Sequence, residues 1–436
     1  MNKFYSKFST SLHGDIIVPG DKSISQRSLI LASIAIGMSK IKGISNSEDV
    51  NNLIKNLKLL GIKIIKKKNI LNISGVGIGG LSAPYKELYM GNSGTATRLM
   101  LGVLCNQNFE VKVTGDKSLN KRNMYELIKP LKEMGAEIHS KRNSLPIIFK
   151  GFNETMPIIY NQDLPSAQIK SAILLASLNS PGITTIVENI FTRDHTEILL
   201  KELGAEIKIK ETSKKKIIKI RGQKELIAKN ISIAGDPSAA AIVGAAALIT
   251  KNSQIKIKNV NLNKTRITFF KILKKMNANI KISNKKNISG EKTADITFKS
   301  SNLKGINLNK KTVNEMIDEI PIFSILAVFA KGKSSFSGGE TLKNKESNRI
   351  NSLYQGLKSC KIKIIKKKDG LIINGVKKEE NIKNATIKTF YDHRIAMVFM
   401  IMGLACKKKI KVDNLDCIKT SFPNFLTLMR SIRAKI

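Results

Sequence analysis

The stretch LKELGAEI, residues 200–207, ends an amphipathic helix on a glycine and runs at once into an alternating strand. The same pattern recurs as LKLLGIKI around Gly61, LKEMGAEI around Gly135, LKKMNANI around Asn277 and LKSCKIKI around Lys361, and a worn copy, SIRAKI, finishes at Ile436. The copies stand about 70 to 84 residues apart, and self-similarity at such a period marks a repeated supersecondary unit. Six units of mixed helix and strand follow from this. In the three clearest copies glycine sits where the helix must stop, because a left-handed residue costs least there without a Cβ. The alanine after it suits close packing of helix on strand. This turn is structural and carries no chemistry.

Working outward, the segments 169–178, 239–249 and 320–330 are too uniformly apolar for surface helices, which predicts inner helices buried on nearly all sides. Between the third and fourth copies lies IAGDPSAAAIVGAAAL, residues 233–248, where Gly235, Asp236 and Pro237 break a strand and Ser238 starts a helix. The crossover between two domains belongs there, and 436 residues is the length of two domains rather than one.

The formal net charge is +42. Such a balance points first to nucleic acid. The lysines, however, fall in scattered tracts at 66–68, 214–216, 366–368 and 407–409 among many Ile and Asn residues. With 5% aromatic residues and no Trp, no base-stacking platform is visible, so most of this charge reads as solvated surface. A basic nucleic-acid-binding protein stays as a remote alternative. Cys105, Cys360, Cys406 and Cys417 show no metal-ligand spacing, which predicts reduced thiols and no bound metal. The opening MNKFYSKFSTSLHGDIIVPG has no signal-peptide apolar core and no run of the chain is long enough to cross a bilayer, so a cytoplasmic protein, free of membrane and cofactor, is expected.

Several polar clusters open apolar helices in the same manner. They are GDKSISQR (20–27), GNSGTATR (91–98), TGDKSLNKRNM (114–124), LPSAQIK (164–170), TRDHTE (192–197), KNKESNRI (343–350) and YDHRIAM (391–397). Any one of them is accounted for by helix capping. Together they put Lys22, Arg27, Arg98, Arg122, Arg193, Lys345, Arg349 and Arg394 at helix mouths or turns, where the helix dipole and fixed cations bind phosphate and carboxylate. The set points to small polyanionic ligands.

In order and content these motifs resemble the 5-enolpyruvylshikimate-3-phosphate synthase family from Pro19 to Phe425, and its class II branch in GDKS, SAQ followed by Ile169 and Lys170, RDHTE, and NKTR at 263–266. The resemblance implies an α/β (α+β) fold of two similar domains, each of three βαβαββ units, with the active site in the interdomain cleft: 21–235 as N-terminal domain, and 1–20 plus 236–436 as C-terminal domain. It implies transfer of enolpyruvyl from phosphoenolpyruvate to the 5-hydroxyl of shikimate 3-phosphate. A monomer is expected, inhibited by glyphosate with intermediate tolerance. Carried over by position, Lys22, Ser23, Arg27, Ser166, Ala167, Gln168, Arg193, Asp318 and Lys345 contact shikimate 3-phosphate. Lys22, Asn92, Gly94, Arg122, Gln168, Arg349 and Arg394 contact phosphoenolpyruvate. His393 is read either as structural support or with a direct role.

The chemistry asks for the same residue types. The acceptor hydroxyl loses a proton as it attacks C2, C3 gains one, and phosphate then leaves as C3 is deprotonated, which calls for carboxylates among cations. Asp318 and Glu346 are the acidic candidates, and Lys22 is a candidate proton donor. Thr420, in TSFPNF, stands where the other branch has a lysine, and Lys419 points elsewhere if this segment is a strand. The alternative acceptor is UDP-N-acetylglucosamine, whose enolpyruvyl transferase shares fold and donor. That family carries Lys-Asn where this chain has Lys22-Ser23, and a loop cysteine absent from GDKSLNKRNM.

Overall fold

The repeated turns set the architecture, and in the computed structural model, which describes residues 4–152, 154–376 and 381–436, all six share one geometry. The residue at the glycine position has positive φ in every copy: +88° at Gly61, +104° at Gly135, +91° at Gly204, +66° at Asn277, +63° at Lys361 and +70° at Arg433. Two backbone bonds close each turn. In the third copy Gly204 N–H donates to Lys201 O (3.2 Å) and Ala205 N–H to Leu200 O (2.9 Å). In the worn copy Arg433 N–H donates to Arg430 O (2.9 Å) and Ala434 N–H to Met429 O (3.0 Å). This paired closure satisfies helix carbonyls that would otherwise lack a partner. The last three copies keep it without glycine, at a cost of about 1–2 kcal/mol for a side chain in the left-handed region, least at Asn277 because asparagine tolerates that conformation best.

Each turn joins an outer helix to a strand hairpin. The third repeat shows the whole unit: strand Ile159–Gln162, inner helix Ala167–Ala176, strand Ile183–Glu188, outer helix His195–Glu202, then strands Glu206–Glu211 and Lys216–Arg221. Its sheet pairs the first two strands in parallel and inserts the last strand antiparallel between the second and third. The second and fifth repeats have the same order. The others borrow strands. Leu226–Ile227 and Ile231–Ser232 run parallel to Ala35–Lys42 and fill the first-strand position of repeat one. His13–Ile16 runs parallel to Gln254–Asn261 and does so for repeat four. Phe4–Ser6 lies antiparallel to Ile410–Val412 in repeat six, which lacks a closing hairpin among the described residues.

These exchanges define two units, one of Gly20–Ile233 with Ile288–Glu291, the other of Met1–Pro19, Ala234–Asn287 and Lys292–Ile436. Residues 288–291, which sequence reading puts with the C-terminal half, group instead with the N-terminal unit: Ser232 N–H donates to Ser289 Oγ (2.9 Å) and His195 Nδ1 lies 2.5 Å from Glu291 Oε1. Each unit has its own core around three inner helices. Lys22–Ser33, Gly94–Leu104 and Ala167–Ala176 serve the first, and Pro237–Ile249, Ile320–Phe329 and His393–Leu404 the second. The three apolar segments predicted to be inner helices are buried along nearly their whole length. At Gly102 a Cβ would meet the backbone of Ala172 at 2.3–2.8 Å, so two of these helices cross in contact there. Among the described residues no helix is long and apolar enough to cross a membrane.

A Cβ at Gly135 meets nothing within 4 Å, so Gly135→Ala isolates the backbone cost of the turn. It lowers stability by about 1 kcal/mol, whereas Lys361→Gly, which relieves the same strain, does not lower it, because relief offsets the entropy of glycine. Urea midpoints of the two variants check this. Equal losses in both would show that the turn conformation is not what selects glycine.

Candidate active site

Inner helices buried on all sides leave their first-turn N–H groups to be capped from the side. Asp21 accepts from Ile24 N (2.9 Å), Ser93 from Ala96 N (3.2 Å) and Ser166 from Ile169 N (3.4 Å) in the N-terminal unit. Asp236 accepts from Ser238 N (2.7 Å) and Asp392 from Arg394 N (2.9 Å) in the other. The caps are cross-linked, since Gln26 Nε2 donates to Ser93 Oγ at 2.6 Å. The polar clusters read in the sequence therefore lie together at the helix mouths of each unit.

In the N-terminal unit two guanidinium groups flank Gly94. A Cβ there would stand 2.8 Å from Arg98 Nη1 and 3.1 Å from Arg122 Nη1. Arg98 is held by neutral oxygens, Gln168 Oε1 (2.8 Å) and Gly94 O (3.3 Å), while Gln168 Nε2 donates to Thr95 Oγ1 (2.8 Å). Arg122 donates to Asn92 Oδ1, and Asn92 Nδ2 to Asp116 Oδ2 (2.6 Å). The Nε of Arg122 is buried with no hydrogen-bond partner among the described residues. Burial, and then the charge of Arg122, push the Arg98 pKa down to about 10. Two like charges so placed form a receptor for an anion. Arg98 is missing from the ligand sets read in the sequence, although its place there, one helical turn after Gly94, is the signal that marks it.

Nearby, Lys22 Nζ pairs with Asp49 Oδ2 at 2.7 Å. Arg27 is nearly inaccessible and is built into the protein: Nε donates to Thr196 Oγ1 (2.8 Å), and Nη1 to Ser23 Oγ (2.7 Å) and Ser23 O (3.0 Å). Ser166, Ala167 and Arg193 are half-buried at the mouths of the third repeat.

The C-terminal unit gathers carboxylates around one guanidinium. Arg349, 1% exposed, donates through Nε to Asp392 Oδ2 (2.9 Å) and through Nη2 to Glu346. Its Nη1 lies 3.7 Å from Asp318 Oδ1 and has no hydrogen-bond partner among the described residues, and Arg394 Nη2 is also 3.7 Å from Asp318. Burial works to lower the Arg349 pKa, but Asp392, Glu346 and Asp318 outweigh it and raise the value. The two acids read in the sequence, Asp318 and Glu346, thus stand beside the same guanidinium. Asp392, which both caps its helix and orients Arg349, is the member of the DHR triplet that sequence reading leaves out. Lys345 is half-buried beside this group. His393 is buried at the first turn of its helix, with Nδ1 3.4 Å from Thr420 Oγ1. The segment Asp416–Thr420 is a 3-10 turn rather than a strand, and Lys419 is exposed on Asp416 (2.7 Å).

A family model described as EPSP synthase (3-phosphoshikimate 1-carboxyvinyltransferase) matches residues 7–429. The chain belongs to the EPSP synthase family. The 3-phosphoshikimate 1-carboxyvinyltransferase of Bartonella quintana (strain Toulouse) is 42% identical over 430 residues, covering 98% of this chain and 97% of that protein. Its counterpart from Chelativorans sp. (strain BNC1) is 40% identical over 435 residues, covering 99% and 97%. A solved EPSP synthase from Acinetobacter baumannii matches with a TM-score of 0.87 at 36% identity, covering 99% of this chain and 98% of that one. Family membership accounts for the motifs, the two-unit fold and the clustering of polar groups at helix mouths together.

The Arg98–Arg122 pair predicts that inorganic phosphate raises the melting temperature, and that Arg122→Met or Arg98→Met removes more than half of that rise. The exposed Lys214→Met leaves it unchanged. Because the folded pKa of Arg98 lies below its unfolded value, the burial cost is fully present below pH 10 and is relieved above it, so phosphate affinity falls as pH rises through about 10. Thermal shifts of the three variants decide: equal losses would assign the effect to diffuse charge.

Proposed function

We propose that this member of the EPSP synthase family transfers the enolpyruvyl group of phosphoenolpyruvate to the 5-hydroxyl of shikimate 3-phosphate and releases phosphate. The observation that carries this reading is the division of charge among helix mouths: paired guanidiniums around Gly94 in one unit, and Asp318 and Glu346 sharing the buried Arg349 in the other. A reaction between two anions that also moves protons onto and off carbon needs both.

In this reading the phosphoenolpyruvate set is Lys22, Asn92, Gly94, Arg122, Gln168, Arg349 and Arg394, with Arg98 added. Among the described residues the Nε of Arg122 and Nη1 of Arg349 are buried donors with no hydrogen-bond partner, which supports their use by ligand oxygens. Lys22, Ser23, Ser166, Ala167, Gln168, Arg193, Asp318 and Lys345 receive shikimate 3-phosphate, with Arg27 acting mainly through Ser23 and Thr196. One carboxylate of the Asp318–Glu346 pair accepts the hydroxyl proton as oxygen attacks C2, while the Lys22 ammonium donates a proton to C3. The resulting tetrahedral intermediate loses phosphate as a C3 proton returns to the neutral Lys22 amine. Arg349 stays charged throughout and fixes both acids. A cytoplasmic, monomeric enzyme accompanies this reading.

The deciding assay is phosphate release from phosphoenolpyruvate with shikimate 3-phosphate or UDP-N-acetylglucosamine as acceptor; turnover with the second alone would overturn the assignment. Asp318→Asn and Glu346→Gln lower kcat by roughly two to four orders of magnitude while calorimetry still finds both substrates bound. Gly94→Ala pushes a methyl group against Arg98 and Arg122, so it raises KM for phosphoenolpyruvate about tenfold and weakens glyphosate at least as much. An unchanged inhibition constant for glyphosate would remove Gly94 from that pocket.

A further inference from the structure

The third repeat contains a buried ionic tetrad that the reaction does not call for. Lys170 is 0% exposed and lies one turn into the inner helix Ala167–Ala176. Its Nζ is 2.7 Å from Glu197 Oε1 and 3.1 Å from Glu188 Oε2. Lys216 Nζ completes the set at 3.3 Å from Glu197 Oε1 and 3.8 Å from Glu188 Oε2. Two cations and two anions cancel. Such a cluster is a poor device for stability, because desolvating four charges offsets most of what their attraction returns, and apolar replacements often do as well. Its geometry offers another use.

The two carboxylates hold the two ends of one short segment. Glu188 Oε1 accepts from Thr192 N (3.2 Å) and Thr192 Oγ1 (2.5 Å), which fixes the residue before Arg193. Glu197 lies in the first turn of the helix His195–Glu202, where the helix dipole also favours a carboxylate. Between these ends Thr196 Oγ1 accepts from Arg27 Nε and lies 2.7 Å from Ser171 Oγ. We propose that Lys170 is a positioning residue: by drawing Glu188 and Glu197 onto one ammonium it clamps residues 192–197, and so sets Arg193 directly, and Ser23 through Thr196 and Arg27, for the phosphate of the acceptor. Supporting this, the salt bridges hold Glu197 ionised against its burial and keep Lys216 charged. The inference rests on the acceptor assigned above.

The test compares Lys170→Met, Thr192→Val, Arg193→Ala and the double variants Lys170→Met/Arg193→Ala and Lys170→Met/Glu197→Gln with the unaltered chain. In Lys170→Met, KM for shikimate 3-phosphate rises at least tenfold, while kcat stays within about threefold and KM for phosphoenolpyruvate within about twofold. Thr192→Val leaves all four charges in place and serves if Lys170→Met does not fold; it raises the same KM severalfold. Lys170→Met and Arg193→Ala are non-additive, because one acts through the other. Lys170→Met/Glu197→Gln recovers melting temperature but not KM. Recovery of both together, or an unchanged KM in folded Lys170→Met and Thr192→Val, overturns the positioning role. Absence of shikimate 3-phosphate-dependent release by the unaltered chain would instead overturn the reading of the acceptor, and this inference with it.

Discussion

An inner helix with no solvent-facing side has nowhere to satisfy its first-turn N–H groups except at its mouth, and this constraint organises both units. Along Pro237–Ile249 or Ile320–Phe329 nearly every side chain is buried, so polar groups within the span would carry an uncompensated desolvation cost. At the mouth the same backbone demands oxygen acceptors, which Asp21, Ser93, Ser166, Asp236 and Asp392 supply for five of the inner helices, while Ile320–Phe329 starts on Glu319 without a side-chain cap and has Pro321, which lacks an N–H, in its first turn. Polar chemistry is thereby concentrated where the inner helices of one unit begin. Gln26 reaching Ser93, and Gln168 reaching Arg98 and Thr95, show how residues in the first turns of one helix become the supports of the next.

This is why much of the fold is legible in the sequence. A helix end that needs positive φ selects glycine, and the recurrence of Gly61, Gly135 and Gly204 in near-identical contexts betrays the repeat. Where selection is weaker, as at Lys361 and Arg433, the geometry persists through backbone bonds that no residue type announces. Strand exchange is hidden for a related reason. His13–Ile16 pairs with a strand more than two hundred residues on, and the short strands within 226–232 pair with one nearly as far back, while their patterns say nothing of which sheet they complete. The 3-10 turn at Asp416–Thr420 escapes sequence reading because its closure depends on Thr420 Oγ1 meeting Cys417 O and on packing beneath it, not on periodicity.

The candidate site is legible to a different depth. Residue types at helix mouths announce anions, since cations gathered at positive dipole ends have few other uses. What the sequence cannot show is the pairing. Arg349 and Asp392 are separated by 43 residues, and Glu197 lies on a different helix from Lys170, so their association is a product of the fold alone. Arg27 illustrates the consequence, for a residue read as a ligand contact has its guanidinium occupied by Ser23, Thr196 and Ser171.

Charge balance separates supports from receptors. The tetrad of Lys170, Lys216, Glu188 and Glu197 closes on itself, and such closed groups resist outside ions because any incoming charge would have to displace an internal partner. Around Arg349 the carboxylates outnumber the guanidinium they share, which suits groups that must take up protons. Around Gly94 the imbalance runs the other way: Arg98 rests on an amide and a backbone carbonyl, and Asp116 reaches Arg122 through Asn92. Burial first and the charge of Arg122 second depress Arg98, and a phosphate between those guanidiniums offsets the repulsion between them, so that part of the cost of folding the pair becomes affinity for the ligand. The net charge of +42 is spread over a solvated surface, where salt screens it; the few charges that decide chemistry are those the interior leaves unbalanced.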